Sequence, residues 1–411
     1  MARRTPAHDI VLFGATSFVG QILCRRLVER HGTDGELSWA IAGRDAVKLD
    51  RVATETGADV ERIVADAADP AALAAMCADA RLVVSTVGPY ALHGSELVAA
   101  VVEAGIDYCD LTGEPQWMQR MIDRHHERAV ETGARVVHAC GFDSVPSDLG
   151  VRFLQQAAVE RFGSPCTDVR MGVVSARGGA SGGTIASMMN IVSEVADDPG
   201  LRRVLTNPYA LAPAGEREGV DQPSLAVPAL DRGLGSWTAP FVMAATNTRV
   251  VLRSHALEGY PWGRSFTYGE SIMTGSGPIG GAKALAVTGA MGAAMGAAAG
   301  AAMLGPLRSV VERVLPSAGD GPSPSTQEAG SYDLRFHGTT AAGEGIDARV
   351  TGDRDPGYGS TSKILAVAAT SLLDSDVGGG FWTPATALGD GFVDELVERA
   401  GLTFDIVDRV D

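Results

Sequence analysis

The stretch Ile10-Val-Leu-Phe-Gly14-Ala-Thr-Ser17-Phe-Val-Gly20 decides the fold of this chain. A short apolar run, typical of a buried strand, leads into a glycine turn and then into a helix. Gly14 permits the tight turn, and Gly20 permits close packing of the helix on the strand. A helix that starts there presents free N–H groups and the positive end of its dipole to an anion. The pattern therefore predicts a pyrophosphate site for a dinucleotide, formed by Gly14, Thr16, Ser17, Phe18, Val19 and Gly20.

Ser17 stands where the usual pattern has its middle glycine. A serine at this position can cap the helix and still donate a hydrogen bond to a phosphate. We therefore expect the motif to survive the change, with some loss of cofactor affinity.

The chain around this motif alternates apolar runs with helix-length segments as far as residue 140. Strands that alternate with helices in this way build a parallel sheet that is covered on both faces. The predicted fold class is α/β, with a doubly wound Rossmann sheet and a second α+β domain for substrate binding and dimerisation. The apolar runs are Ile10–Phe13, Leu37–Ala42, Val60–Val64, Leu82–Val87, Tyr108–Leu111 and Arg135–Ala139.

The alternation stops after Gly141, and this change predicts the domain boundaries. Residues 1–145 are expected to bind NAD(P), and residues 146–380 to form the α+β substrate domain. Residues 381–411 are expected to form a helical segment that packs back on the Rossmann domain. Within the second domain, β-like runs are expected at Asn247–His255 and Ser265–Thr274, among others.

The uncharged segment Ala284–Leu304 is predicted to be an Ala/Gly-rich helix. Gly292, Gly296 and Gly300 repeat every four residues, which gives a smooth face that another backbone can approach closely. Alanine and glycine supply too little hydrophobicity to favour insertion into a bilayer. The pattern favours a contact between the subunits of a homodimer, and peripheral membrane contact stays open.

The second strand ends at Ala42-Gly43-Arg44-Asp45. An acidic residue at this strand end binds the ribose 2′-hydroxyl of NAD, whereas an arginine suits the 2′-phosphate of NADP. Arg44 has the planar fork that matches a phosphate, although Asp45 follows it directly. The predicted cofactor is NADPH, and NADH stays possible.

Polar residues follow the other strands at the same edge of the predicted sheet. Asp66 follows the third strand, where it contacts the adenine or caps the next helix. Thr86, Val87, Gly88 and Pro89 form a turn after the fourth strand, at the edge that borders the nicotinamide. Two further strand ends, Asp110–Glu114 and Cys140–Asp148, reach the same crevice.

Charge and cysteine content limit the class of protein. The formal net charge of −16 leaves no basic excess to displace counterions, which argues against a nucleic-acid partner and weakly against an anionic membrane. The five cysteines show no spacing typical of a metal site, so no metal is predicted. Their odd number suits a reducing cytosol. The first residues contain no apolar signal core, and we expect a cytoplasmic protein.

Several motifs resemble those of one known family. Gly14-Ala-Thr-Ser-Phe-Val-Gly20, Thr86-Val-Gly-Pro-Tyr90 and Tyr108-Cys-Asp-Leu-Thr-Gly-Glu114 resemble the saccharopine dehydrogenase-like oxidoreductases. His138-Ala-Cys-Gly-Phe-Asp-Ser-Val-Pro-Ser-Asp148 extends the resemblance. It continues through Arg177-Gly-Gly-Ala-Ser-Gly-Gly-Thr184 to Gly378-Gly-Gly-Phe-Trp-Thr-Pro384. The motifs look most similar to the trans-acting enoyl reductases of mycobacteria and their relatives.

This resemblance implies reduction of a carbon–carbon double bond in a polyketide or fatty-acyl chain of lipid biosynthesis. The acyl chain would be carried by a partner synthase that lacks its own enoyl reductase domain. Peripheral contact of the enzyme with the inner face of the plasma membrane stays open, because it would suit an enzyme that handles long acyl chains. The developing enolate oxygen needs hydrogen-bond donors, and the α-carbon needs a proton. The catalytic candidates are Tyr90 and Ser144 as donors and Asp143 as the group that orients one of them.

Two alternatives stay open from the sequence. A saccharopine reductase-like C–N oxidoreductase would bind a substrate with several carboxylates, and it would need arginines that converge in the second domain. A lipid- or membrane-associated protein that binds the dinucleotide without turnover is the other alternative. The arginines available to the first alternative are Arg170, Arg177, Arg202, Arg203, Arg249 and Arg253.

Overall fold

The structure is a computed structural model that describes residues 6–178, 187, 190–191, 194, 198, 200–303 and 323–408. In chain order, its strands are β1 (His8–Phe13), β2 (Trp39–Gly43), β3 (Glu61–Val64), β4 (Ala80–Ser85), β5 (Asp107–Asp110), β6 (Arg135–Val137), β7 (Cys166–Arg177), β8 (Ala229–Asp231), β9 (Ser236–Pro240), β10 (Thr267–Gly275), β11 (Ser331–Thr340), β12 (Gly345–Gly352), β13 (Gly380–Trp382) and β14 (Leu402–Val407).

The α-helices follow the same order, and a π-helical turn at Pro356–Ser360 precedes α12. They are α1 (Phe18–His31), α2 (Ala46–Thr56), α3 (Pro70–Ala78), α4 (Tyr90–His93), α5 (Ser95–Ala104), α6 (Pro115–Thr132), α7 (Val145–Phe162), α8 (Leu201–Thr206), α9 (Ala244–Leu257), α10 (Gly277–Met303), α11 (Pro324–Glu328), α12 (Thr361–Leu373), α13 (Pro384–Ala387) and α14 (Phe392–Ala400).

The first sheet is parallel throughout, with the strand order β13-β6-β5-β4-β1-β2-β3. The inner strands are almost wholly buried because helices cover both faces. Apolar residues of α1, α2 and α12 pack on one face, and those of α3, α5 and α6 pack on the other. This arrangement confirms the predicted Rossmann sheet.

The second sheet is mixed, with the order β14-β12-β11-β7-β10-β9-β8. β7 and β10 are parallel, and the other neighbours are antiparallel. Helix α7 starts at the end of β6 and packs on this sheet, where Gly150 lies directly against the Phe336 ring. One helix therefore connects the crevice of the first sheet to the core of the second, and the predicted α+β domain is confirmed.

The expected strand at Asn247–His255 is wrong, because these residues lie in helix α9. Thr248, Val250 and Val251 favour a strand by propensity. Arg249 and Arg253 lie one helical turn apart and donate to backbone carbonyls of Leu205 and Phe381, among others. Tertiary burial of the whole helix overrides the local preference.

The domain boundaries at residues 145 and 380 stay a prediction. In the structure, segments from beyond residue 145 also contribute to the first sheet and its covering helices. Helix α12 packs on α1, although it lies far along the chain from the rest of the first sheet. Strand β13 adjoins β6 as the last strand of that sheet, and β14 closes an edge of the second sheet. The first sheet and its covering helices are therefore built from two separate parts of the chain.

Helix α10 covers the predicted Ala/Gly-rich helix, except for Leu304, which lies outside the described residues. Its first half packs on the second sheet, where Ala284 is buried and Gly281 lies against Trp237. In the part of the chain that the structure describes, no helix combines the length and apolarity needed to span a bilayer.

Gly150 allows a test of this packing. A Cβ atom at Gly150 would lie 2.4 Å from Cζ of Phe336, so Gly150→Ala should lower the free energy of unfolding by about 1–3 kcal/mol through overpacking. The matched control is Gly289→Ala in α10, where a Cβ meets nothing within 4 Å. Only helix propensity changes in that control, so its free energy of unfolding should stay the same or rise by about 1 kcal/mol. Urea denaturation measures both, and a Gly150→Ala protein as stable as the wild type would contradict the packing described.

Candidate active site

The turn between β1 and α1 leaves no space for side chains at its two key glycines. Gly14 has φ of +92°, and a Cβ there would lie 2.6 Å from the Val87 side chain. A Cβ at Gly20 would lie 2.2 Å from the Gly14 carbonyl oxygen. Residues 16–19 of the turn are partly exposed, so a ligand can approach its backbone, as a pyrophosphate cradle requires.

Ser17 and Thr86 hold this turn against the end of β4. The Thr86 hydroxyl donates to the Gly14 carbonyl oxygen at 2.9 Å, so the Ser17 hydroxyl donates to Thr86 at 2.9 Å. Ser17 Oγ also accepts from the backbone N–H of Gly20 at 2.9 Å and thereby caps α1. The hydroxyl of Ser17 is occupied by the protein, so it fixes the turn instead of reaching toward a phosphate.

The remaining anion donors come from the backbone of α1. With the Gly20 N–H taken by Ser17, the N–H groups of Phe18 and Val19 are the first-turn donors that have no partner inside the helix. No acidic residue lies in the first turn of α1 to oppose its positive dipole end. Thr16 and Val19 are both partly exposed beside this turn. These residues fit a dinucleotide pyrophosphate.

Asp45 has a structural role that separates it from Arg44. Its carboxylate accepts from the Lys48 N–H at 3.1 Å and caps α2. The Arg44 side chain is exposed, and no hydrogen bond or ion pair is found for it among the described residues. Asp45, the acidic residue that could bind the ribose of NADH, is thus used to cap α2. Arg44, which suits the 2′-phosphate of NADPH, is free to bind it.

Asp66 does not cap the helix that follows it. Its carboxylate accepts from the Ala68 N–H at 2.9 Å, whereas Asp69 caps α3. Asp66 is exposed after β3, at the same edge of the sheet as Arg44. Of the two roles considered for Asp66, capping the next helix is therefore excluded, and contact with the adenine remains.

The loop after β4 places Tyr90 in the interior instead of the crevice. Val87, Gly88 and Pro89 are partly or fully exposed, but Tyr90 is buried. Its hydroxyl donates to the Ser85 carbonyl oxygen at 3.0 Å and accepts from the Leu111 N–H at 3.2 Å. Burial raises the pKa of Tyr90 well above its usual value. Its single hydroxyl proton is occupied, so the geometry favours a positioning role for Tyr90.

Glu114 fixes the same loop from the end of β5. This buried carboxylate accepts from the Tyr90 N–H at 2.8 Å and from the Ala91 N–H at 3.0 Å. It also accepts from the Ser187 hydroxyl at 3.0 Å. The nicotinamide-side edge is therefore held by buried hydrogen bonds from two neighbouring strand ends.

Asp143 differs from every other carboxylate of the crevice. It lies in the loop between β6 and α7, it is partly buried, and no hydrogen bond or ion pair is found for it among the described residues. Burial raises the pKa of Asp143 to about 6. A carboxyl group that the protein desolvates without pairing is suited to proton transfer near neutral pH.

Ser144 belongs to a buried network that reaches into the second domain. Its hydroxyl donates to Asn247 Oδ1 at 3.1 Å, and Asn247 Nδ2 donates to Glu270 at 2.9 Å and to Ser147 at 3.2 Å. Tyr268 also donates to Glu270, and burial raises the pKa of Glu270 to about 7. Ser144 is wholly buried and its proton is occupied, which favours a positioning role for it as well.

The sequence analysis did not predict which residues from the second half of the chain contact the candidate site. The Thr361 hydroxyl accepts from the Phe142 N–H at 3.0 Å, and the Tyr358 ring packs edge-on against Phe18 at 5.0 Å. Asn247 and Glu270 were missed too. None of them carries a local motif, so no signal in the sequence marked them. Residues 179–184 of the glycine-rich motif after Arg177 lie outside the described residues.

Comparisons with known proteins identify the relatives of this chain. The family model described as "Saccharopine dehydrogenase NADP binding domain" matches residues 10–137. A putative trans-acting enoyl reductase of Mycobacterium tuberculosis is 43% identical over 404 residues, covering 94% of this chain and 95% of the relative. A trans-acting enoyl reductase of Mycobacterium bovis is 40% identical over 403 residues, with the same coverage of both chains.

Among solved structures, apo saccharopine dehydrogenase (L-Glu forming) from Saccharomyces cerevisiae has the same fold. The match has a TM-score of 0.53 at 14% identity, and it covers 98% of this chain and 100% of that one. The first sheet with its NADP-binding domain and the identities over nearly the full length lead to one assignment. The chain belongs to the saccharopine dehydrogenase-like oxidoreductases, in the subgroup of the mycobacterial trans-acting enoyl reductases.

Proposed function

We propose that this oxidoreductase uses NADPH to reduce the carbon–carbon double bond of an α,β-unsaturated polyketide or fatty-acyl thioester in lipid biosynthesis. The acyl chain is held by a partner polyketide synthase, on which the enzyme acts in trans. The names of the relatives support this reaction type. The observation that carries the proposal is Asp143, a partly buried and unpaired carboxyl group at the nicotinamide end of the crevice.

The reaction adds a hydride to the β-carbon, which NADPH supplies when bound, and a proton to the α-carbon. In its protonated form, Asp143 donates that proton and is left as a carboxylate, which solvent then reprotonates. The backbone N–H groups of Phe18 and Val19 bind the pyrophosphate at the start of α1, beside Thr16, while Gly14, Ser17 and Gly20 shape the turn. Arg44 binds the 2′-phosphate, and Asp66 lies beside the adenine. Thr86, Val87, Gly88 and Pro89 border the nicotinamide, while Tyr90 and Ser144 keep the loops in place.

The arrangement of arginines argues against a saccharopine-type substrate. Arg170 is paired with Asp168 at 2.7 Å. Arg249 and Arg253 are buried on backbone carbonyls, and burial lowers the pKa of each to about 10. Three of the six candidate arginines are therefore occupied by the protein itself. A non-catalytic dinucleotide-binding protein, in turn, would have no use for an unpaired carboxyl group such as Asp143.

Arg44 gives the test of cofactor choice. The wild type should bind NADPH more tightly than NADH, and Arg44→Ala should weaken NADPH binding about tenfold to a hundredfold, the size of a charge-assisted contact to phosphate. NADH binding should stay unchanged. Calorimetric titration measures these affinities. Arg51→Ala, which removes another exposed arginine from the same region, serves as the control. Equal wild-type affinity for both cofactors contradicts the assignment.

Asp143 gives the test of proton transfer. Because the acid works in its protonated form, kcat/KM of the wild type for an enoyl thioester should fall as pH rises through about 6. Asp143→Asn should lower kcat/KM about a hundredfold or more and remove that dependence. Stopped-flow measurement of NADPH oxidation from pH 5 to 8 follows the change, with Asp59→Asn as an exposed control.

Two readouts separate this role from a structural one. NADPH affinity should be the same in Asp143→Asn and the wild type. Asp148 and Glu270, whose pKa values burial raises to about 7, are retained in the variant, so any pH dependence near 7 should persist. A variant that keeps the full wild-type pH profile would exclude Asp143 as the acid.

We also propose that the enzyme is a cytoplasmic homodimer whose contact is the second half of α10, with at most peripheral membrane contact. Gly292, Gly296 and Gly300 have no neighbour within 4 Å of a Cβ atom built on them, so this stretch has room for another backbone. The uncharged surface of this half supports burial against a second copy. The net charge of −16 supports only weak contact with anionic lipid.

Light scattering tests the dimer. The wild type should have the mass of two chains without detergent, and Gly296→Leu should shift the population toward the monomer because a large side chain separates the two helices. Ala282→Leu, on the exposed surface of the first half of α10, should keep the dimer. A wild-type protein that is monomeric, or that is recovered only with membranes after a high-salt wash, contradicts this proposal.

A further inference from the structure

A groove in the second domain lies outside the dinucleotide site. It is bounded by the ends of β7 and β10, by the loop before β9 and by the first half of α10, and its volume is about 610 Å³. Sites that bury most of a small organic ligand have volumes of ~300–1,000 Å³. The apolar side chains that line the groove are Val174, Ile272, Met273, Ala286 and Val287.

We propose that this groove binds the aliphatic chain of the acyl thioester, an inference that rests on the proposed function. The walls support an apolar ligand because the hydroxyl groups of Thr274 and Ser236 are already occupied. Thr274 donates toward the carbonyl oxygens of Trp237 and Gly280, both at 2.9 Å. Ser236 donates to the Trp237 carbonyl oxygen at 2.7 Å. These two hydroxyl groups are thus turned to the backbone, whereas Ser276 and Lys283 are the exposed polar residues of the lining.

Val174 shows that the groove is not filled by the described protein. Val174 lies on an inner strand of the second sheet, at the point where the pairing of β7 with β11 shifts its register. Val174 is nevertheless 42% exposed. Lys283 is exposed at the groove, where its alkyl stem extends the apolar wall while its ammonium group stays in water. Burial of an alkyl chain in this space stabilises the complex by about 0.8 kcal/mol per methylene group.

The groove and the reacting carbons lie at the same ends of β7 and β10. Glu270 is joined to Ser144 through Asn247, and Ile272 follows two residues later, about 7 Å further along the strand. On β7, Ala176 pairs with Tyr332, whose ring lies 4.7 Å from that of Phe142. Both strands therefore pass the loop that carries Asp143. Glu270 lies on the face of the sheet that packs on α7, whereas Val174 and Met273 lie on the opposite face, so the crevice and the groove are joined around the strand ends.

This position suits a chain whose double bond is held at Asp143. The carbons beyond the double bond leave the crevice past the ends of β7 and β10 and enter the groove toward α10. The thioester and its carrier extend in the opposite direction, out of the crevice. The groove then makes the enzyme prefer longer acyl chains, because a longer chain buries more methylene groups in it while the reacting carbons stay in place.

The experiment compares crotonyl-CoA with dodecenoyl-CoA in the full-length protein with NADPH. The wild type should have a higher kcat/KM for dodecenoyl-CoA. Ala286→Trp and Val174→Trp fill the groove from opposite walls, and each should lower kcat/KM for dodecenoyl-CoA about tenfold or more. Each should leave the value for crotonyl-CoA within about twofold. Ala290→Trp, an exposed residue one turn further along α10 and outside the lining, should behave like the wild type.

The outcomes separate this proposal from the proposed function. If the wild type reduces both thioesters but the filling variants lower both equally or neither, the groove is not the chain site. If the wild type reduces neither thioester, the enoyl reductase function fails and the groove is tested by binding alone. In that case, calorimetry of dodecanoyl-CoA with the NADP⁺-loaded protein should show binding that Ala286→Trp abolishes and Ala290→Trp keeps. Absence of binding, or equal binding by all three proteins, overturns the groove.

Discussion

The arrangement of the two sheets depends on one buried carboxylate. Asp148, in the first turn of α7, accepts from the Ser254 hydroxyl at 2.6 Å and from the Ala385 N–H at 2.9 Å. It is 1% exposed, and burial raises its pKa to about 7. A carboxylate in such a position is stable only with good partners, so α7, α9 and the start of α13 must meet there. This contact fixes the loop just before α7, which carries the proposed acid Asp143.

A second buried connection acts from the other side of that loop. Ser144 is held through Asn247 to Glu270, which ties the loop to α9 and β10. Asp143 lies between Phe142, whose N–H donates to Thr361, and Ser144, yet no partner is found for it in the described structure. The surroundings thus determine the position of Asp143 without neutralising it. Such an arrangement sacrifices some stability for reactivity, as is common where a side chain must exchange protons.

The sequence predicted the first sheet well because the information there is local. Gly14 and Arg44 each follow a strand directly, Gly20 lies in the first turn of α1, and parallel strands bring their carboxyl ends to one edge. The second half was harder to predict. Asn247 contacts Ser144, 103 positions earlier in the chain, and its own segment favours a strand by propensity. The roles of Tyr90 and Ser144 were also hidden, since only the structure reveals which hydroxyl protons are already occupied.

Strand β13 has a consequence for the synthesis of this protein on the ribosome. The backbone N–H of Phe381 donates to His126, 255 positions earlier in the chain, and β13 completes the sheet beside β6. Until this late segment emerges, the nascent cofactor domain keeps an open strand edge, and α1 lacks the cover of α12. Contacts of such long sequence separation slow folding, and open edges invite aggregation. The nascent chain thus depends on the folding of everything between β6 and β13 before its first domain is complete.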